Sequence, residues 1–170
     1  MKNSRIKQSN SYFIRSWKYV RESKNYIFFI ISAFIFSGLL GVIFSSELYL
    51  ILKPFLKDLL AQIEGMNTYQ LILFILQNNA KTAFFAMFFG IFFGIFPFVN
   101  SVINGLTLGY VLNSVWEVSG VSEFWRILPH GIFELPAVFL ALGLGLKLGF
   151  DFVKHFVKHY WRDNKLSRIP

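Results

Sequence analysis

The chain has no cysteine and few charged residues, which make up only 15% of its 170 positions. Without cysteine it cannot form a disulfide framework, a zinc–thiolate site or a redox-active thiol pair. A soluble domain carries about 25% charged residues, and one small soluble core has no room for 22 phenylalanines. The composition therefore disfavours a soluble enzyme, a disordered segment and a disulfide-stabilised secreted domain.

The chain instead contains long apolar stretches. Residues 26–44 are uncharged, and as a helix they would cross about 28 Å, close to the thickness of the bilayer hydrocarbon. Residues 80–118 are too long for one span. Because proline lacks a backbone donor and restricts the residue before it, we place a break at Pro97. The predicted transmembrane helices are residues 26–44, 80–97, 99–117 and 128–149.

The connection between the first two spans, residues 46–78, predicts an amphipathic helix. Its apolar residues recur at helical spacing and are interrupted by Lys53, Lys57 and Glu64. The apolar stretch Tyr69–Leu76 is short for a span, so we expect it to be interfacial or re-entrant. The predicted fold class is an all-α membrane protein with four transmembrane helices and an amphipathic helix between the first and second.

The net charge of +8 is concentrated at the two ends of the chain. Residues 1–25 hold seven basic residues and one acidic residue, and residues 151–170 hold five basic and two acidic ones. Basic residues mark the cytoplasmic side of a membrane protein. We therefore expect two basic cytoplasmic tails, residues 1–25 and 151–170, around a helical bundle at 26–150 in the plasma membrane. Four crossings place both termini on one side.

The tails also predict contact with the lipid bilayer. In each of them aromatic residues share a helical face with basic residues, a pattern that binds anionic headgroups. Simple marking of topology is an equally good explanation. The tails carry no nucleic-acid recognition motif, so we expect no nucleic-acid partner.

Three GxxxG motifs lie in three of the four predicted spans. In lipid no hydrophobic effect drives helices together, so close backbone approach must supply the contact energy. The motifs predict a compact bundle that self-associates as a homo-oligomer, although glycine is also simply common in membrane helices. The glycines expected at helix contacts are Gly90, Gly94, Gly105, Gly109, Gly131, Gly145 and Gly149.

Polar residues inside the spans form the candidate site. An ionisable group at the bilayer centre costs roughly 2.5 to 3.5 kcal/mol on insertion scales. His130 and Glu134 are four residues apart, so they share one face of a helix. Asn79 and Asn104 could contribute amides to the same cluster.

Three hypotheses remain open for this polar cluster. It could be a structural clasp between helices, a proton or ion pathway in which burial raises the pKa of Glu134, or a metal site for hydrolysis. His130 and Glu134 supply only two metal ligands, whereas zinc hydrolase sites use three from the protein. The sequence shows no other catalytic pattern. We therefore expect no catalytic residue, no cofactor and no metal.

Two stretches resemble a known family. One runs from Asn79-Ala-Lys-Thr-Ala-Phe through Gly90 to Asn104-Gly-Leu-Thr-Leu-Gly109. The other is His130-Gly-Ile-Phe-Glu-Leu-Pro-Ala, followed by Gly143-Leu-Gly-Leu-Lys-Leu-Gly149. Together they resemble the signature of the stage II sporulation protein M family of integral membrane proteins.

The resemblance implies a polytopic helical membrane protein without catalytic activity of its own. In spore-forming bacteria the namesake is a membrane scaffold for peptidoglycan-remodelling hydrolases, and relatives occur in bacteria and archaea that form no spores. The leading hypothesis is therefore a non-catalytic membrane scaffold or membrane-shaping protein, with other membrane or cell-envelope proteins as partners. The alternatives are a small transporter or channel that uses Glu134 and His130, and an intramembrane metal-dependent hydrolase.

Overall fold

The computed structural model describes the backbone of residues 2–90, 92, 94–120 and 124–166, and the side chains of residues 12–90, 92, 94–118, 120 and 134–160. The described residues fold into six helices. These are α1 (Lys2–Glu22), α2 (Lys24–Ile43), α3 (Ser45–Ile63), α4 (Thr68–Gly90), α5 (Ile95–Ser119) and α6 (Phe124–Leu166).

Four of the described helices are long and apolar enough to cross a membrane: α2, α4, α5 and, in α6, residues Glu134–Tyr160. Between the first and second of them lies α3, which carries Lys53 and Lys57 and has no buried residue. The predicted class of an all-α membrane protein with four spans and an intervening amphipathic helix is confirmed.

The second candidate span begins earlier than predicted. Tyr69–Leu76 is not a separate segment but forms the start of α4, a helix long and apolar enough to cross a membrane. Gly65, with a φ of 77°, follows the end of α3. A reciprocal capping box then starts α4: Gln70 N–H donates to Asn67 Oδ1 at 3.0 Å, and Asn67 N–H donates to Gln70 Oε1 at 2.9 Å.

The break between the second and third spans also lies elsewhere than predicted. It falls between the end of α4 at Gly90 and the start of α5 at Ile95, not at Pro97. Pro97 occupies the first turn of α5, where a backbone N–H would have no helical partner to lose. Gly94 has a φ of 69°, a conformation that glycine adopts without steric cost.

The predicted boundary between the fourth span and the C-terminal tail is not a structural one. Helix α6 continues without interruption from Phe124 to Leu166, so much of the basic tail at 151–170 extends the last span. The basic segment at the N-terminus is helical as well. It forms α1, and Ser23, whose Oγ donates to the Tyr19 carbonyl oxygen at 2.7 Å, joins it to α2.

Contacts between the helices show the direction of each one. Helices α2 and α5 are parallel, since Ile30 contacts Ser101 and, further along both helices, Gly38 lies against Gly109. Helix α6 is antiparallel to α2, because the Phe34 ring meets Phe139 and the Tyr26 ring meets Phe150. Helix α4 is parallel to α6, with contacts between Gly90 and Gly145 and between Asn79 and Glu134.

The four spans therefore alternate in direction along the chain, and α1 and the end of α6 lie at one end of the bundle. We call this the tail end, and the opposite end the α3 end. Among the described residues, one cluster of buried apolar side chains contains Ile30, Ala86, Leu142 and Leu146. Much of the apolar surface faces outward, as expected for helices surrounded by lipid. Large exposed side chains include Phe28, Phe36, Ile43, Phe84, Phe88 and Ile95.

Candidate functional site

Asn79 and Glu134 meet between α4 and α6. The Asn79 Nδ2 amide donates a hydrogen bond to Glu134 Oε2, and both residues are partly exposed. The parallel packing explains the meeting. Each residue lies eleven positions before a glycine of the close α4–α6 contact, Gly90 in one helix and Gly145 in the other. Eleven residues are three helical turns, so contact at the glycines places Asn79 and Glu134 opposite each other.

The other two residues of the predicted cluster are His130 and Asn104. His130 lies on α6 one turn before Glu134, and its side chain is outside the described residues. Asn104 is exposed and bonds within its own helix. Its amide donates to the carbonyl oxygen of Asn100 at 2.8 Å and to Asn100 Oδ1 at 3.0 Å. Asn104 was predicted to contribute its amide to the polar cluster, and both described bonds of that amide instead reach Asn100, one turn away on the same helix.

Metal ligands are sparse in this region. Among the residues whose side chains the structure describes, no three His, Cys, Asp or Glu residues lie close enough together to hold a metal ion. Since the His130 side chain is not among them, the two-ligand candidate of His130 and Glu134 stays a prediction.

The seam between α2 and α5 is built from backbone contacts. A Cβ atom added at Gly109 would lie 2.9 Å from the Gly38 carbonyl carbon and 3.0 Å from the Val42 nitrogen. One added at Gly41 would lie 3.0 Å from the Leu106 carbonyl carbon. Only a hydrogen atom fits at these positions, so the two helices touch through their main chains.

The seam between α4 and α6 has the same construction near the tail end. A Cβ at Gly90 would lie 2.7 Å from the Cα of Gly145, and a Cβ at Gly149 would lie 2.9 Å from the Cα of Gly94. The predicted packing glycines other than Gly131, which lies outside the described side chains, are thus placed against neighbouring helices of the same chain. Among the residues whose side chains are described, these glycines therefore serve contacts within one chain.

Helix α1 is held to the bundle by Lys147, a buried residue of α6. Its Nζ lies 3.8 Å from a carboxylate oxygen of Glu22 and 3.7 Å from the centre of the Tyr19 ring. Burial raises the pKa of the Tyr19 hydroxyl, and the carboxylates of Asp151 and Glu22 raise it further. The aromatic face of Tyr19 and the Glu22 carboxylate thus both lie beside the ammonium group of Lys147.

The sequence that forms this bundle matches a known protein family. The model of a family described as stage II sporulation protein M matches residues 27–169, most of the chain. The chain belongs to this family. No curated protein and no solved structure matches it.

The match divides the site residues of this family member into two groups. Asn79, Asn104, His130, Glu134 and the packing glycines all lie within the matched region. Tyr19 and Glu22 precede it, whereas Lys147, which contacts both of them, lies inside it.

Sequence reasoning missed several of these contacts in the family member. Ser101 Oγ donates to the Ile30 carbonyl oxygen at 2.9 Å across the α2–α5 seam. Ser101 stands four residues before Gly105 and eight before Gly109, so the spacing places it on the glycine face and could have revealed the contact. The contact of Lys147 with Glu22 had no such signal, because it joins residues far apart in the chain.

Proposed function

We propose that this protein is a non-catalytic scaffold or membrane-shaping protein in which Asn79 and Glu134 fasten α4 to α6. The observation that carries the proposal is the hydrogen bond from the Asn79 amide to the Glu134 carboxylate. In a bilayer an unsatisfied carboxylate is costly, and a donor on the neighbouring helix makes it an attachment point. Other membrane or cell-envelope proteins are the partners such a scaffold would hold.

The remaining polar contacts between helices support a structural role. Ser101 bonds to the backbone of α2, and Asn113 Nδ2 donates to Ser45 Oγ at 2.9 Å at the α3 end. These bonds satisfy polar groups inside the bundle and link α5 to its neighbours. A scaffold needs such a firmly joined bundle with outer faces left for partners.

One observation favours a second candidate, a small transporter or channel. Asn79 and Glu134 are partly exposed rather than sealed, and an ionisable residue within a span is a common element of proton and ion pathways. In that case Glu134, together with His130 one turn away, would bind a proton or a cation. A metal-dependent hydrolase would use the same two residues, and no contact described here favours it over the other two.

Two variants of Glu134 distinguish the clasp from the transporter. Glu134→Gln keeps an oxygen that accepts from Asn79, whereas Glu134→Ala removes it. For the scaffold we expect Glu134→Ala to lower the free energy of unfolding by about 1 kcal/mol and Glu134→Gln to leave it nearly unchanged. Thermal unfolding of the purified full chain in detergent measures both. Adding Asn79→Ala to Glu134→Ala should lower the free energy of unfolding little further, because both substitutions remove the same hydrogen bond.

Flux measurements complete this test. The scaffold predicts that liposomes containing the wild-type chain show no more pH-dependent proton or cation flux than empty liposomes. Flux that is present in the wild type and abolished by Glu134→Gln would overturn the proposal in favour of transport. Stability unaffected by Glu134→Ala would show that the bond does not fasten the helices.

We further propose that both termini lie in the cytoplasm and that α3 lies on the outer side of the plasma membrane. Both basic segments are at the tail end of the bundle, which supports this orientation. The cysteine-free chain suits a labelling test with Ser16→Cys in α1 and Ser46→Cys in α3, both exposed positions. In intact cells a membrane-impermeant maleimide should label position 46 only, and position 16 only after permeabilisation. The reverse pattern would refute the orientation.

A further inference from the structure

Asn104 is an exposed polar residue at mid-depth in the membrane. It lies on α5, one of the four candidate spans. Ser101 bonds to Ile30 of α2, and Gly109 lies against Gly38 further along both helices. This register places Asn104 opposite the middle of α2, about 15 Å from either end of that helix. Lipid chains offer no hydrogen bond at this depth, and polar side chains within spans accordingly face protein or water-filled cavities.

Asn104 lies on the side of α5 that is turned toward α6. Near the tail end Pro97 is buried on this side, and its Cγ atom would lie 3.1 Å from a Cβ added at Gly145 of α6. Asn104 follows Pro97 by seven residues, close to two helical turns, so the two residues share nearly the same face. Contact with α6 along the whole of α5 would bury Asn104. Its exposure therefore means that the two helices have separated at this depth.

The helices separate as two pairs. Helix α5 stays with α2 through the glycine contacts of their seam, and α4 stays with α6 as far as Asn79 and Glu134. Helices α4 and α5 meet near the tail end, where the centres of the Phe89 and Phe96 rings lie 5.6 Å apart. The space between α5 and the α4–α6 pair therefore widens from the tail end toward the α3 end. We call this space the α5 cleft.

Polar side chains line the α5 cleft. On α5, Asn100, Asn104 and Thr107 follow one another at spacings of four and three residues, so they form a polar stripe along one side of the helix. On the opposite wall Asn79 and Glu134 are both partly exposed. Facing walls that carry amide, hydroxyl and carboxylate groups suit water, which both donates and accepts hydrogen bonds.

We propose that the α5 cleft is filled with water, which enters at the α3 end and extends past Asn79 and Glu134 to Asn104 at mid-depth. Counted from the level of Pro97 and Gly145, Asn104 lies about 10 Å and Glu134 about 17 Å toward the α3 end, so Asn104 marks the deeper position. Water and small hydrophilic solutes are the ligands that match this lining. The inference concerns the access of water alone, so it holds for a scaffold and for a transporter alike.

Cysteine accessibility tests the α5 cleft in the full chain, which has no cysteine of its own. Asn104→Cys places a thiol at the deep end of the cleft. The matched control is Ile35→Cys at the same depth of α2, an exposed residue that lies about 140° around that helix from the buried Ile30. Each variant is reconstituted in lipid vesicles and treated, inside and outside the vesicles, with a positively charged methanethiosulfonate. Mass spectrometry of the intact protein measures the modified fraction over time.

We expect Asn104→Cys to react about tenfold faster than Ile35→Cys or more, because a thiol surrounded by hydrocarbon ionises poorly and a charged reagent does not enter lipid. Since Asn104→Cys itself removes one amide from the cleft, Thr107→Cys provides a second variant that keeps this amide. It should react at least as fast, because Thr107 lies nearer the α3 end. Protection of both cleft positions, or equal rates for Asn104→Cys and Ile35→Cys, would overturn the proposal. Disulfide-linked dimers of Asn104→Cys would also overturn it, since a second copy would then cover this face.

Discussion

The seam between α2 and α5 and the seam between α4 and α6 join parallel helices in two different ways. Along α2 and α5, close contacts continue from Ser101 through Gly105 and Gly109 to Asn113. Between α4 and α6 the close backbone contacts are those of Ala86 and Gly90 with Gly145 and Gly149, apolar contacts of Ala86 and Leu142 lie beside them, and the hydrogen bond of Asn79 with Glu134 lies further toward the α3 end. The first seam joins its helices by close contacts along its length. The second joins them by close backbone contact near the tail end and by a hydrogen bond to a carboxylate nearer the α3 end.

The difference lies in what each polar group requires. A serine hydroxyl needs only a nearby backbone carbonyl, and glycines bring one within reach, so Ser101 is fully buried at little cost. A carboxylate needs a donor from a side chain placed for it, as Asn79 is for Glu134. The α2–α5 seam therefore requires small residues along its length, whereas the α4–α6 seam adds one specific polar pair to its glycine contacts.

The largest expected effect comes from breaking the continuous seam. Gly109→Ala should lower the free energy of unfolding by about 2 kcal/mol, since the added methyl group would overlap the backbone of Gly38. Its control is Gly38→Ala, where the added Cβ would lie 3.5 Å from the Gly105 carbonyl oxygen, an ordinary contact. That variant should be neutral or slightly stabilising because alanine favours the helix. Equal effects of the two variants in thermal unfolding would contradict the description of this seam.

Much of this fold was predictable because it follows from composition and period. Apolar runs of sufficient length predicted four membrane helices, and the periodic apolar residues predicted α3. The start of α4 was missed because Tyr69–Leu76 is short when taken alone. The capping pair of Asn67 and Gln70, which extends the helix, consists of two common polar residues. Pro97 was misread because proline breaks a helix interior but suits a first turn.

The candidate site was predictable only in part, since a sequence gives spacing along one helix but not the rotation of one helix against another. Glu134 was selected as a polar residue inside a predicted span and Asn79 as one just before another, and the glycine contacts of α4 and α6 align them. Asn104 was selected for the same reason. It bonds to Asn100 on its own helix, an arrangement equally compatible with the sequence.

The smallest expected effect concerns a single hydroxyl of the α2–α5 seam. Ser101→Ala removes a bond to α2 and leaves the Ile30 carbonyl oxygen without this donor, although that oxygen also belongs to the α2 helix ladder. The free energy of unfolding should fall by about 0.6 kcal/mol, typical of one hydrogen bond between membrane helices. Ser114→Ala is the matched control, because Ser114 Oγ donates at 3.0 Å to the Tyr110 carbonyl of its own helix. It should change stability less than Ser101→Ala, as no contact between helices is lost. If Ser114→Ala lowered the free energy of unfolding more than Ser101→Ala in urea or thermal unfolding, the hydrogen bond within α5 would matter more for stability than the bond from α5 to α2.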